Sequence, residues 1–241
     1  MSNDRRRFLG WLGGTSLLGI ASVPSLPSAL AASPPPVQPL PAAHPAPVSE
    51  TWDVSWTDRV KGEHRAVFDS PQLAEGAALF RAVAWCDHYK EVYGVERSAM
   101  SPVLVLRHGA IDLVVNDEYW RRFRLGKEHK MKGATGKWAE ANPLTVKPAS
   151  ATAGANASAA ADDRRDKYTL ERFMGDGGIV LACSWAFGQV AGRIRKEEKV
   201  EQAAATERAK GYLVPGVILQ PNGIFAALRA QEAGCHYVMA S

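Results

Sequence analysis

Apolar residues along this chain gather in short, nearly unbroken runs separated by amphipathic stretches. His64-Arg65-Ala66-Val67-Phe68-Asp69 reads as a strand. Ser70 and Pro71 follow it and predict a helix start, with Ser70 as N-cap and Pro71 in the first turn. Leu73, Ala77, Phe80 and Ala84 form one apolar stripe, and Leu79, Val83 and Cys86 a second. That spacing predicts a helix to about Tyr93 with most of its circumference buried. Pro102 to Arg107 is a second strand, and a helical stretch is predicted from about Asp112 to Phe123. Gly178 to Ala182 is a third strand running into Cys183, with a helix from Trp185 to about Lys196. Gly216 to Leu219 is a fourth strand. Asn222 caps a helix over Gly223 to Ala233, and Cys235 to Met239 makes a fifth strand.

Strands that are apolar throughout, alternating with helices, predict a parallel sheet covered on both faces. The expected class is α/β: a three-layer sandwich around a mostly parallel five-stranded sheet, spanning 51–241. Residues 126–167 interrupt the alternation. They hold the Ala/Ser-rich run Ala149 to Ala161 and the charged run Asp162 to Lys167, which read as a low-complexity insertion. Lys127 to Trp138 within it is basic and carries His129 and Trp138. It is suited to a lid or an oligomer contact.

The first residues add an address. Asp4-Arg5-Arg6-Arg7-Phe8-Leu9 precedes a short, mildly apolar stretch, and Ala29-Leu30-Ala31 offers small residues at a cleavable spacing. This resembles a twin-arginine (Tat) export signal over 1–31. Pro24 and Pro27 interrupt the apolar stretch and count against the alternative, a basic-ended membrane anchor. The resemblance implies handling by the Tat translocase, export of a folded chain and a periplasmic location; it implies no particular cofactor. Residues 32–50, with Pro at 34, 35, 36, 39, 41, 45 and 47, read as an extended tether.

Losing the leader removes three Arg and one Asp, which lowers the net charge from +4 to +2. A nearly neutral chain lacks the electrostatic footprint of a nucleic-acid binder. Three Cys are too few for a disulfide framework, and no later apolar run is long enough to span a bilayer.

Ligands of an open parallel sheet meet the loops at the carboxyl ends of its strands. Here those loops hold Asp69-Ser70, His108-Gly109, Cys183-Ser184 and Gln220-Pro221-Asn222. Cys183 stands where a strand ends and a helix begins. The helix amides favour an anion there, so the thiol pKa is expected to fall. The alternative reading is a buried, inert Cys. Cys86 and Cys235 read as core, with a Cys86–Cys235 bridge left open. His108 reads either as a pocket group near Cys183 or as a ring bonded to backbone. The strand followed by Arg107-His108-Gly109 is similar to the histidine phosphatase motif. That reading fails, because a full strand-helix unit precedes it and a later His-Gly pair is missing. Cys235, His236 and Met239 are soft-metal ligand types, but alternation along a strand puts Cys235 and His236 on opposite faces, so no metal site is expected. Trp52, Trp56, Trp85, Trp120 and Trp185 read as core or subunit interface.

Three segments together resemble the DsrE-like family of sulfur-handling α/β proteins. They are Val103 to Gly109, with its apolar strand ending in His-Gly; Gly177 to Cys183, with its Gly-strand-Cys arrangement; and Val214 to Val217 continuing through Asn222, Gly223, Ile224, Leu228, Gln231, Gly234 and Tyr237. The resemblance covers about His64 to Met239 without the insertion. It implies a homo-oligomer in which Cys183 carries a persulfide between a sulfur-donor and a sulfur-acceptor protein. Taken with the strand-end loops, this carrier reading makes His108 a candidate base and puts Asp69, Ser184 and Asn222 at the substrate site. Two departures stand out: relay members work in the cytoplasm, and Ser184-Trp185 follows the Cys where they carry a smaller pair. The competing expectation is a non-enzymatic periplasmic binding or assembly module on the same fold.

Overall fold

A computed structural model describes residues 52–133, 135–145 and 167–241. The leader, the whole proline-rich tether, the Ala149 to Ala161 run and residues 162–166 of the charged run lie outside the described residues. The apolar runs form strands β1 (His64–Ser70), β2 (Met100–Leu106), β3 (Ile179–Cys183), β4 (Ile218–Gln220) and β5 (His236–Met239). All are parallel, in the order β4-β3-β2-β1-β5. The expected α/β class with a five-stranded parallel sheet is therefore what the chain adopts. Pro102 fits inside β2 because β3 pairs with that strand only from Val103 onward.

Eight helical segments among the described residues surround or extend this sheet: α1 (Ala77–Tyr93), α2 (Asp117–Arg122), α3 (Leu125–Glu128), α4 (Leu170–Gly175), α5 (Ser184–Glu198), α6 (Gln202–Lys210) and α7 (Gly223–Glu232), together with a longer 3-10 turn at His108–Val114. Shorter 3-10 turns occupy Ser55–Arg59, Ala74–Gly76 and Arg97–Ala99.

Alternate residues of the strands feed two cores. Ala66, Phe68, Leu104, Leu106, Val180 and Ala182 meet Leu79 of α1 and Phe187 of α5 on one face. Val67, Val103, Val105, Ile179 and Leu181 meet Trp56 and Ala226 and Ala230 of α7 on the other. The connectivity explains the split. From β1 to β4 the chain steps in one direction across the sheet, then returns from β4 to the far side of β1. Right-handed crossovers require the returning helix, α7, to lie on the opposite face.

Several expectations are corrected. Ser70 does not cap a helix: it is the last residue of β1, and its hydroxyl donates to the Gln72 carbonyl. Ala74, Glu75 and Gly76 all take positive φ (40°, 53° and 84°), which breaks any helix there, so α1 starts at Ala77. The stretch from Asp112 to Phe123 is not one helix. The 3-10 turn ends at Val114, Val115 and Asn116 are extended, and the Asn116 side chain then caps α2 by accepting from the Tyr119 amide.

The early part of the interruption belongs to the fold. Asn142 is buried, and its Nδ2 donates to the carbonyls of Leu113 and Val115, both at 2.7 Å. Leu144 and Met131 join the core on the α1 side. No described helix is long and apolar enough to cross a membrane.

Candidate functional site

The loops after β1, β2 and β3 lead to helical segments on one face, while the loop after β4 leads to α7 on the other. The chain thus parts between β3 and β4, and such a switch point opens a crevice beyond the carboxyl ends of the strands. A cleft of about 250 Å³ lies there, lined by Cys183, Trp185, Ala186 and Gln189 from the β3 side and by Asn222, Gly223 and Ile224 from the β4 side. Arg107 and His108, which follow β2, complete it.

Each side chain is held for a local reason. Cys183 is the last residue of β3 and the N-cap of α5; its Sγ accepts from the Ala186 amide at 3.4 Å. A thiol at an N-cap stands in for the usual hydroxyl or carboxylate acceptor and receives the partial positive charge of the helix end. Asn222 does the same for α7, its Oδ1 accepting from the Phe225 amide at 2.8 Å. Two helix N-termini therefore converge on one cleft.

Arg107 adds a full positive charge. Its Nε donates to Asp69 Oδ1 at 2.8 Å and its Nη2 to Oδ2 at 2.9 Å. The Tyr237 hydroxyl also donates to Asp69 Oδ2, at 2.7 Å. The hydrogen bonds that Arg107 donates to Asp69 hold its pKa above the ordinary value, outweighing partial burial. Burial and the Asp69 carboxylate together push the Tyr237 phenol up, so it stays a donor. Gly223 is needed beside this pair: a Cβ there would fall 2.4 Å from Arg107 Cδ and 2.6 Å from its Cβ.

Of the residues expected at the site, the fold brings Cys183, His108 and Asn222 to one cleft. Asp69 is not a lining residue. It is only 2% exposed and serves from behind by orienting Arg107. Ser184 opens α5 and is half-buried, outside the lining. His108 is exposed, at φ 50°, and among the described residues no hydrogen bond joins its ring to Cys183 or to backbone. The sequence reading missed Arg107, although the residue stood beside His108 in the same strand-end motif. It also missed Gln189, one turn into α5. Trp185, read as core or interface, is 75% exposed at the cleft.

The other thiols are remote in character. Burial pushes the Cys86 thiol up to about 11 and the Cys235 thiol up to about 11. All three cysteines are free; Cys86 belongs to α1, while Cys235 lies in the core on the α7 side of the sheet, so the Cys86–Cys235 bridge is not formed. Asp112, Glu128 and His129 gather ligand-type atoms within 4.8 Å of one another. Their charge is answered from within the chain. Arg193 donates to both Asp112 oxygens, at 2.8 and 2.9 Å, and to Glu128 at 2.7 Å.

No family model, curated protein or solved structure matches this chain.

Proposed function

We propose that this protein is an exported carrier of sulfane sulfur that uses Cys183 as its persulfide-bearing thiol, in the manner of the DsrE-like proteins it resembles. The observation that carries the reading is the position of Cys183 Sγ. It caps α5 and lines a cleft with Arg107, His108 and the N-terminus of α7. The Cys183 thiolate attacks the outer sulfur of a donor persulfide, R–S–SH. A bond forms between Sγ and that sulfur, the donor S–S bond breaks, and the donor leaves as the thiolate R–S⁻. Delivery repeats the exchange, with an acceptor thiolate attacking the same outer sulfur and Cys183 leaving. His108 takes the proton when Cys183 starts as the thiol. Arg107 and the two helix ends stabilise the negative charge that passes through the cleft. Export by the Tat route, with partners that are themselves periplasmic, is part of this proposal and rests on the leader's resemblance alone.

The test is intact mass spectrometry of the natively exported protein after incubation with a persulfide donor. The expected result is a gain of about one sulfur atom, reversed by reductant and absent in Cys183→Ser. An unchanged mass with folded protein overturns the reading. A second reading, a binding module that holds a small anion in the same cleft without reacting, is favoured by one observation: Cys183 is only 6% exposed, which suits a held ligand better than handover to a partner. That module would keep its ligand affinity in Cys183→Ser.

A further inference from the structure

A second concavity, of about 710 Å³, shares no residue with the Cys183 cleft. Arg121, Arg124, Lys127, Lys132 and Lys137 ring it, against a single lining carboxylate, Glu140. Trp138 supplies its exposed apolar surface, with Trp120 packed behind. Among the described residues, none of these five cations makes an ion pair with a carboxylate. The contrast with their neighbour is sharp: Arg122 is taken up by Glu197 and Glu198. Five like charges around one hollow repel one another, and an anion in the hollow relieves that cost.

The walls are built rather than draped. α2 ends beside Arg121, and α3 carries Lys127. Gly126 lies so close to the next segment that a Cβ would fall 2.0 Å from the Ala139 carbonyl oxygen. Lys132 and Trp138 pair as an antiparallel bridge, reinforced by the Ala139 amide donating to the Met131 carbonyl at 3.0 Å and the Gly133 amide to the Lys137 carbonyl at 2.8 Å. Asn142, hydrogen-bonded to Leu113 and Val115, anchors the far end. Trp138 remains 40% exposed, with Lys132 Nζ 3.4 Å from its ring centroid. Trp120 is fully buried behind it, its Nε1 donating to the Asp112 carbonyl.

We propose that this hollow binds a small organic polyanion: a flat ring carrying at least two phosphate or sulfate charges. The charge requirement follows from five cations that no carboxylate among the described residues answers, and the ring requirement from the exposed Trp138 indole among them. The size follows from the concavity, whose volume is that of a small-molecule site rather than of a flat docking face. The Lys127 to Trp138 segment is on this reading a binding wall.

The experiment is calorimetric titration of the purified full chain with two probes, inorganic pyrophosphate and adenosine diphosphate. They carry similar charge, and only the second carries a ring. Adenosine diphosphate is expected to bind about tenfold more tightly than pyrophosphate, the worth of one stacked base. Replacing two exposed side chains, Lys127→Gln with Lys137→Gln, is expected to weaken adenosine diphosphate at least ~10-fold with an unchanged thermal midpoint. Trp138→Ala is expected to bring adenosine diphosphate down to the pyrophosphate affinity, and Cys183→Ser to leave both probes unaffected. Failure of both probes to bind at millimolar concentration overturns the proposal. So does binding that survives the double Lys variant, or binding lost in Cys183→Ser, which would assign the ligand to the other cleft. A single-stranded oligonucleotide whose affinity grows with its length would also overturn it, because that marks an extended surface instead of a pocket.

Discussion

Asp69 and Arg107 meet through two parallel hydrogen bonds, and the carboxylate lies almost wholly inside while the guanidinium reaches the cleft. The inner partner thus sets the position of the outer one. Asp69→Asn keeps the shape but removes the charge and one acceptor. It is expected to cost about 2–3 kcal/mol in urea unfolding, the scale of a hydrogen bond to a charged group left unmade. Tyr237→Phe removes a single bond to the same carboxylate and is expected to cost about 1 kcal/mol. Equal losses in the two variants would show that Asp69 matters only for packing.

Thiol reactivity should separate by position. With Cys86 and Cys235 both pushed up to about 11 by burial, their thiolate fractions near neutral pH are minute. Iodoacetamide treatment of the folded protein at pH 7.5, read by peptide mass spectrometry, is expected to label Cys183 first. Cys86 and Cys235 are expected to react only on addition of denaturant. Equal labelling of the three in the folded state would remove the special standing of Cys183.

Gly223 is where the backbone of one strand end makes room for the side chain of another. Gly223→Ala is expected to push Arg107 off its present course and to destabilise by about 1–3 kcal/mol, the usual cost of overpacking. If Arg107 orients the sulfur donor, persulfide loading of Cys183 slows as well. A variant of unchanged thermal midpoint would mean that Arg107 yields freely.

Acid stability reports on Asp112. Burial pushes this carboxyl up, but the hydrogen bonds from His129 and Arg193 outweigh it, and its pKa ends below the ordinary 3.8. A carboxyl with a depressed folded pKa contributes stability that is present above its unfolded value and is lost as pH falls through the folded one. Unfolding free energy is therefore expected to drop on acidification below about pH 3.8, in the window between the two values. Asp112→Asn is expected to flatten that drop while costing about 3 kcal/mol at neutral pH, because Arg193 then stays charged without its main partner. An unaltered acid limb in the variant would place the acid-sensitive group elsewhere.

Much of this was legible in the residues. Unbroken apolar runs announced the sheet, and Asn222 announced α7, because strand burial and N-capping are both local signals. Cys183 and His108 were legible as cleft residues because their places at strand ends follow from topology. Arg107 was not, since its meaning lies in a carboxylate at the preceding strand end, 38 residues back in the chain and adjacent only across the sheet. The late start of α1 was hidden because Ala74 and Glu75 are ordinary helix formers, and only their positive φ stops the helix. α6 went unread because it buries just Ala205 and Ala209, too little to print an apolar stripe. The loop before residue 146 was read as part of an insertion, whereas Asn142 and Leu144 tie it to the core.

The partners of Asp69 arrive over very different stretches of chain. Arg107 is 38 residues away, within the first strand-to-strand unit, whereas Tyr237 is 168 residues away. The bare entropy of closing the longer loop exceeds that of the shorter by only about 1 kcal/mol. The longer closure belongs to β5, which pairs with the side of β1 that β2 leaves free. Contacts of such long range form late. The carboxylate is therefore expected to gain its guanidinium before its phenol. A complete set of bonds at Asp69 is thus a timestamp: it marks a chain that has finished folding.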